Sequence, residues 1–225
     1  MLPAFLRFIY DLARALGKVT LLCLLLAGPA TATTTLVAFG DSLTQGYGLA
    51  PEDGFVPQLQ AWLTAHGQDV KVINAGVSGD TTAGGLARLD WTLTPDVKAM
   101  IVNLGGNDLL RGIAPSITRA NLDGILKGAE AHHVKVLLVG VPATANYGPD
   151  YQREFDAIYP ELAAKYHADL FPSFYAPLIG KGPADPEKLI PWLQADGIHP
   201  NPEGVKKIVA GMGPAVIKLL GEVGR

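Results

Sequence analysis

Cysteine is nearly missing from this chain: Cys23 is the only one in 225 residues. No disulfide framework can form, and thiol chemistry has a single candidate close to the N-terminus. Charge is sparse too, at 17% of residues with a formal net charge of −3, and no basic cluster occurs. Without such a cluster nothing neutralises a phosphate backbone, so nucleic acid is not an expected partner. A phosphate-cradling Gly-Lys-Ser/Thr motif, a His/Cys/carboxylate group at metal-ligand spacing and a Gly-x-Ser-x-Gly elbow are all missing. The chemistry is therefore expected to need no cofactor and no metal.

Long hydrophobic runs are lacking as well. The first one, Val19–Ala27, is too short to span a bilayer comfortably. It follows Arg7, Arg14 and Lys18 and precedes Ala30-Thr31-Ala32, small residues at the positions a signal peptidase reads. Residues 1–32 are thus predicted to be an export signal and 33–225 the functional domain, placing the protein in the periplasm or outside the cell. An uncleaved membrane anchor is the alternative, because the lead Met1–Lys18 is long and carries its own apolar stretch, Leu2–Ile9. Leu22 before Cys23 argues against lipid attachment. Cys23 leaves with the signal. No basic amphipathic helix follows, so stable membrane binding after signal removal is not expected, and a monomer is.

Nearly half of the residues are hydrophobic, enough for a sizeable core. Continuous apolar runs at Thr35–Phe39, Val70–Asn74, Ala99–Leu104 and Val134–Val139 read as buried strands, with a weaker fifth at Ala168–Phe171. Between them, Phe55–Ala65, Thr81–Leu93, Pro115–Ala131, Tyr151–Tyr166 and Asn201–Leu220 read as helices. Gly213-Pro214 should kink or split the last. Pro172–Pro191, with five prolines, reads as a long surface loop. Alternating strands and helices predict one α/β domain of three layers, with a parallel sheet covered on both faces. Ligands bind such sheets beyond the carboxyl ends of the strands.

Three polar segments follow the first three strands: Gly40-Asp41-Ser42-Leu43, Ser78-Gly79-Asp80 and Gly105-Gly106-Asn107-Asp108. A fourth, Asp196-Gly197-Ile198-His199, lies near the C-terminus. Ser42 is a nucleophile only if a base takes its proton, and a histidine is the side chain poised for that near neutral pH. His66, His132 and His133 fall at predicted helix ends and His167 just before a strand, so these read as solvated or structural. His199 is three residues after Asp196, and a turn at Gly197 can fold the carboxylate onto the imidazole. Gly79 N–H, Asn107 amide and Ser42 N–H are the candidate donors to a developing oxyanion. Each segment also has a plainer reading. Asp196–His199 can be a surface turn, Asp80 can be the N-cap of a helix, and Gly105–Asp108 can be an Asx-rich turn. Their joint placement at one sheet edge favours acyl transfer.

Together these four blocks resemble those of the SGNH (GDSL) hydrolase family. Further stretches are similar to its bacterial thioesterase/lysophospholipase/arylesterase subgroup: Ile73-Asn74-Ala75, Gly85–Leu89, Leu104–Gly112, Asn146-Tyr147-Gly148, Ala157–Pro160 and Asp196–Asn201. The resemblance runs from about Thr35 to Leu220. It implies a flavodoxin-like fold with strand order 2-1-3-4-5. By the same resemblance Ser42 is nucleophile, His199 base and then acid, Asp196 its orienter, and Ser42, Gly79 and Asn107 the oxyanion hole.

Substrate choice rests on loops. Leu109, Leu110, Ile113, Ala114 and Pro115 are apolar for a loop and suggest one wall of an acyl groove, with Ile190, Pro191 and Trp192 opposite; packing under the next helix is the alternative. The expected partner is a small ester or lipid: an aryl ester, an acyl thioester or a lysophospholipid. A carbohydrate deacetylase, with Tyr147, Tyr151 and Trp192 as stacking surfaces, and a non-catalytic ligand-binding module are the competing readings. Asp41 and Asp108 are expected to brace loops rather than to react.

Overall fold

The computed structural model describes residues 33–180 and 186–223. The expected export signal lies outside the described residues, as does part of the proline-rich stretch. Five parallel strands form the sheet: β1 (Thr34–Gly40), β2 (Val70–Gly76), β3 (Val97–Asn103), β4 (Lys135–Val139) and β5 (Asp169–Phe171). They lie in the order β2-β1-β3-β4-β5, as expected. The helices that connect them are α1 (Ser42–Gln45), α2 (Phe55–Ala65), α3 (Thr82–Ala87), α4 (Leu89–Thr92), α5 (Gly106–Leu110), α6 (Pro115–Ala131), α7 (Pro149–Asp156), α8 (Ile158–Tyr166), α9 (Ala176–Ile179) and α10 (Pro202–Leu220).

Strand side chains alternate between two cores. Val37, Phe39, Met100, Val102, Val136 and Leu138 pack on one face against Leu89, Leu122, Ile125, Phe155 and Leu162. Leu36, Ala38, Ala99, Ile101, Leu137 and Val139 pack on the other against Leu59, Leu63, Ile208, Met212 and Val216. Both faces of β1 and β3 are covered, which is why these strands are continuous apolar runs. β2 and β5 are edge strands and only partly buried. Fully burying one such leucine contributes about 2 kcal/mol.

Two expected helices are each divided. Thr81–Leu93 breaks at Arg88, whose side chain turns inward: Nε pairs with Asp80 Oδ2 at 2.8 Å, while Nη1 and Nη2 donate to the carbonyls of Ala75 and Gly40. Tyr151–Tyr166 breaks at Ala157. Pro160 has no N–H for the Asp156 carbonyl, and at the same residue the side-chain carboxylate accepts the Ala143 N–H at 2.7 Å. The last helix is not split. α10 runs on through Pro214, and the neighbouring Gly213 lets Trp62 pack directly on its backbone, where a Cβ would lie 2.4 Å from the ring.

Candidate active site

The strand ends decide where the chemistry sits. β1 stops at Gly40, where a Cβ would fall 2.1 Å from Thr44 Oγ1 and 2.7 Å from the Asn103 carbonyl. Asp41 then caps α1, its Oδ1 accepting the Leu43 N–H at 3.0 Å. Ser42 is the first residue of α1, so its N–H is one of the donors that a helix leaves without an internal acceptor.

Beyond β2, the Asp80 N–H bonds the Val77 carbonyl at 3.1 Å, and Gly79 takes φ +77°. This is the geometry of a type II turn, whose third residue needs positive φ and whose closing bond leaves that residue's N–H unused. Gly79 is therefore required by backbone conformation rather than by space. The N-cap of the following helix is Thr81, which accepts the Gly84 N–H; Asp80 is held by Arg88 instead. Beyond β3, Gly105 takes φ +114° with the Tyr159 hydroxyl where a Cβ would stand. Asn107 follows on α5, its Nδ2 3.4 Å from Asp41 Oδ2.

The Asp196–His199 segment is a loop closed on itself. Gln194 N–H donates to the His199 carbonyl at 2.7 Å, and Leu193 bridges Pro200. Asp196 Oδ1 accepts the N–H groups of Ile198 and His199 at 2.9 and 3.0 Å, and Oδ2 lies 2.6 Å from His199 Nδ1. The Ile198 N–H, then the His199 ring and the His199 N–H, hold this carboxyl down at about 2. His199 Nε2 is 2.8 Å from Ser42 Oγ, across 157 residues of chain. Tyr47 packs its ring 4.7 Å from the imidazole, and Gln194 ties the two segments by donating to the Tyr47 carbonyl at 2.8 Å. Asn201, which caps α10, anchors the loop's far end.

Ser42, Gly79, Asn107 and His199 line one cleft of about 600 Å³. Its remaining walls are largely apolar and include Leu109, Leu110, Val141, Phe174, Leu189 and Leu193. Ile113, Pro191 and Trp192 do not line it. The 3-10 turn Ile190–Trp192 points Leu189 and Leu193 inward, leaving Ile190 68% exposed and Trp192 under the Lys207 ammonium. Ile113 sits past the end of α5, where its carbonyl accepts the Tyr151 hydroxyl. The opposite wall expected from the sequence is thus shifted by one residue on each side of that turn.

The other described histidines are occupied elsewhere. His66 stacks on Trp62, while His132, His133 and His167 end helices, the last two with positive φ. Tyr47, Gln194 and Tyr175, which donates to the Ile198 carbonyl at 2.8 Å, were not anticipated as parts of the site. The Gly46-Tyr47-Gly48 sequence, with φ +89° and +76° at its glycines, was the available signal for a shaped loop beside Ser42. Burial pushes Asp41 up to about 6.

Comparisons with known proteins point to one family. The profile of the GDSL-like lipase/acylhydrolase family matches residues 38–207. The chain is 39% identical to esterase TesA of Pseudomonas aeruginosa, over 92% of this chain and all of that protein. It is 38% identical to thioesterase 1/protease 1/lysophospholipase L1 of Escherichia coli strain K12, over 80% of this chain and 82% of the relative. Among solved structures, the SGNH-hydrolase family esterase AlinE4 is 44% identical, with a TM-score of 0.66 over 84% of this chain and 98% of its own.

Proposed function

The chain belongs to the GDSL-like lipase/acylhydrolase family and is an ester hydrolase, and on that premise we propose that Ser42, His199 and Asp196 carry the reaction through an acyl-serine intermediate. The observation that carries this reading is the unbroken line Ser42 Oγ–His199 Nε2–His199 Nδ1–Asp196 Oδ2, at 2.8 and 2.6 Å, opening into an apolar cleft.

With Asp196 on Nδ1, the imidazole keeps its proton there and presents a bare Nε2 to the serine hydroxyl. Ser42 Oγ attacks the substrate carbonyl as its proton moves to Nε2. The oxyanion forms against the Ser42 N–H, the Gly79 N–H and the Asn107 amide. His199 then returns the proton to the departing alcohol or thiol, and a water activated by the same ring releases the acid. Asp196 stays ionised throughout and steadies the imidazolium.

The apolar walls favour an acyl chain in the cleft, so aryl esters, acyl thioesters and lysophospholipids are the proposed substrates. None of the three aromatics that the deacetylase reading relied on lines the cleft. Tyr147 packs on Gly112 and donates to the Leu110 carbonyl, Tyr151 donates to Ile113, and Trp192 lies outside the cleft. Export through residues 1–32 is proposed on the signal-like sequence and on the compact unit that begins at Thr33; mass measurement of the protein from a periplasmic extract tests it.

Hydrolysis of p-nitrophenyl esters of rising chain length by the wild type and Ser42→Ala tests the mechanism. Activity lost in the variant supports it, and equal rates in both overturn it.

A further inference from the structure

Gly79, in a turn after β2, and Asn107, on α5 after β3, follow different strands, so no short stretch of covalent chain sets their spacing. A donor displaced by 1 Å loses much of its value, and something must keep these two in register. Asp108, adjacent to Asn107, is completely buried, as is Thr82, three residues after Gly79. The Asp108 carboxylate accepts the Thr82 N–H at 2.8 Å and its hydroxyl at 2.5 Å, and the Thr118 hydroxyl at 3.2 Å. Asn121 completes the group by donating to Thr82 Oγ1 at 3.1 Å.

A buried carboxylate is costly unless donors surround it, and an apolar side chain would fill the space more cheaply. What an apolar residue cannot do is grip both groups of Thr82 from the residue beside Asn107. Arg111, on the same side, adds a rim contact by donating to the Gly79 carbonyl at 2.8 Å.

We propose that Asp108 is the positioning residue of the oxyanion hole, a strap that holds the Gly79 N–H and the Asn107 amide at the spacing the transition state needs. The proposal rests on the reading of those two groups as donors. Asp108 touches no reacting atom; it acts through its neighbour and through Thr82. Its loss should therefore lower kcat and leave KM nearly unchanged, because the ground-state carbonyl gains little from the hole.

The test is steady-state hydrolysis of one p-nitrophenyl ester by Asp108→Asn, Thr82→Val, Asn107→Ala and the double variants on Asn107→Ala, each checked for folding by urea unfolding. Asp108→Asn should lower kcat about 100-fold, the scale of a lost oxyanion donor, with KM within about 2-fold. Thr82→Val, which keeps the N–H and loses the hydroxyl, should cost about 10-fold. On the Asn107→Ala background both losses should shrink, since one of the positioned donors is already gone. Losses that multiply in full on that background, or that fall on KM, would mean a general structural role and overturn the strap. Should Asp108→Asn fail to fold, Thr82→Val decides alone, and a wild-type kcat there also overturns it. If Asn107→Ala costs 100-fold or more while Asp108→Asn is fully active, the strap fails and the donor assignment stands. A fully active Asn107→Ala removes the assignment and the strap together.

Discussion

On one side of the cleft, the loops after β1, β2 and β3 are knitted into the sheet. Asp41 is 4% exposed and Asp108 0%, and the Arg88 guanidinium binds carbonyls at the ends of both β1 and β2. On the other side, Asp196 stands on a surface loop with its side chain 37% exposed, held mainly by amides of its own turn. The two carboxylates nearest Ser42 and His199 register the contrast. Burial carries Asp41 up to about 6, while local N–H donors and the imidazole carry Asp196 down to about 2. In the proposed mechanism, the half that meets a developing negative charge is fixed by the core, where reorganisation is expensive. The half that would move a proton is a loop closed on itself, joined to the first by Gln194, by the Tyr47 ring and by the Ser42–His199 contact.

The comparison breaks most visibly at Asp196. Asp196→Asn should lower kcat about 10⁴-fold by freeing the wrong tautomer, yet change urea stability little because the loop is exposed. Solvent screening keeps small the stability that this lowered carboxyl contributes above its ordinary value of 3.8, and that contribution is lost as pH falls through about 2. The rate profile of the wild type should accordingly show no Asp196 limb between pH 4 and 9; a limb abolished in Asp196→Asn would contradict this.

A smaller effect sharpens the apolar side. Leu110 lines the cleft while 63% exposed, so Leu110→Gln should leave stability alone. Losing contact with one or two methylenes, at about 0.8 kcal/mol each, should reduce kcat/KM for long-chain esters about 4- to 15-fold relative to acetate. Ile113→Gln should leave the chain-length preference unchanged, and the reverse pattern would restore the wall expected from the sequence.

The smallest effect is one of pH and stability. Asp41 binds its proton more tightly folded than unfolded, so stability should fall as pH rises from about 4 to 6 and level off above. Asp41→Asn removes that dependence, and its stability relative to the wild type should be more favourable at pH 8 than at pH 5 by roughly 1–3 kcal/mol. Urea unfolding at the two pH values measures it; an equal difference at both would show Asp41 to be ordinary.

Strands β1, β3 and β4 were legible because burial on both faces leaves their central runs apolar, Leu36–Phe39, Ala99–Val102 and Val136–Val139. Ser42, Gly79, Asn107 and His199 were legible because each follows a strand end or a diagnostic turn, and the structure brings them to one cleft. Arg88 fell within a predicted helix, and only the folded chain shows which carbonyls it reaches. The break before Pro160 was visible in principle through its missing N–H. Leu189 and Leu193 could not be told from Ile190 and Trp192, because a short 3-10 turn offers no long period by which to phase the inward face.

The most direct test of the account is covalent capture. The wild type would be treated with a fluorescent phosphonate that reacts with activated serines, digested, and mapped by mass spectrometry. The account predicts one adduct, on the peptide bearing Ser42, with hydrolysis lost in proportion to labelling. An adduct on another residue, or full ester hydrolysis by a protein labelled at Ser42, would contradict it.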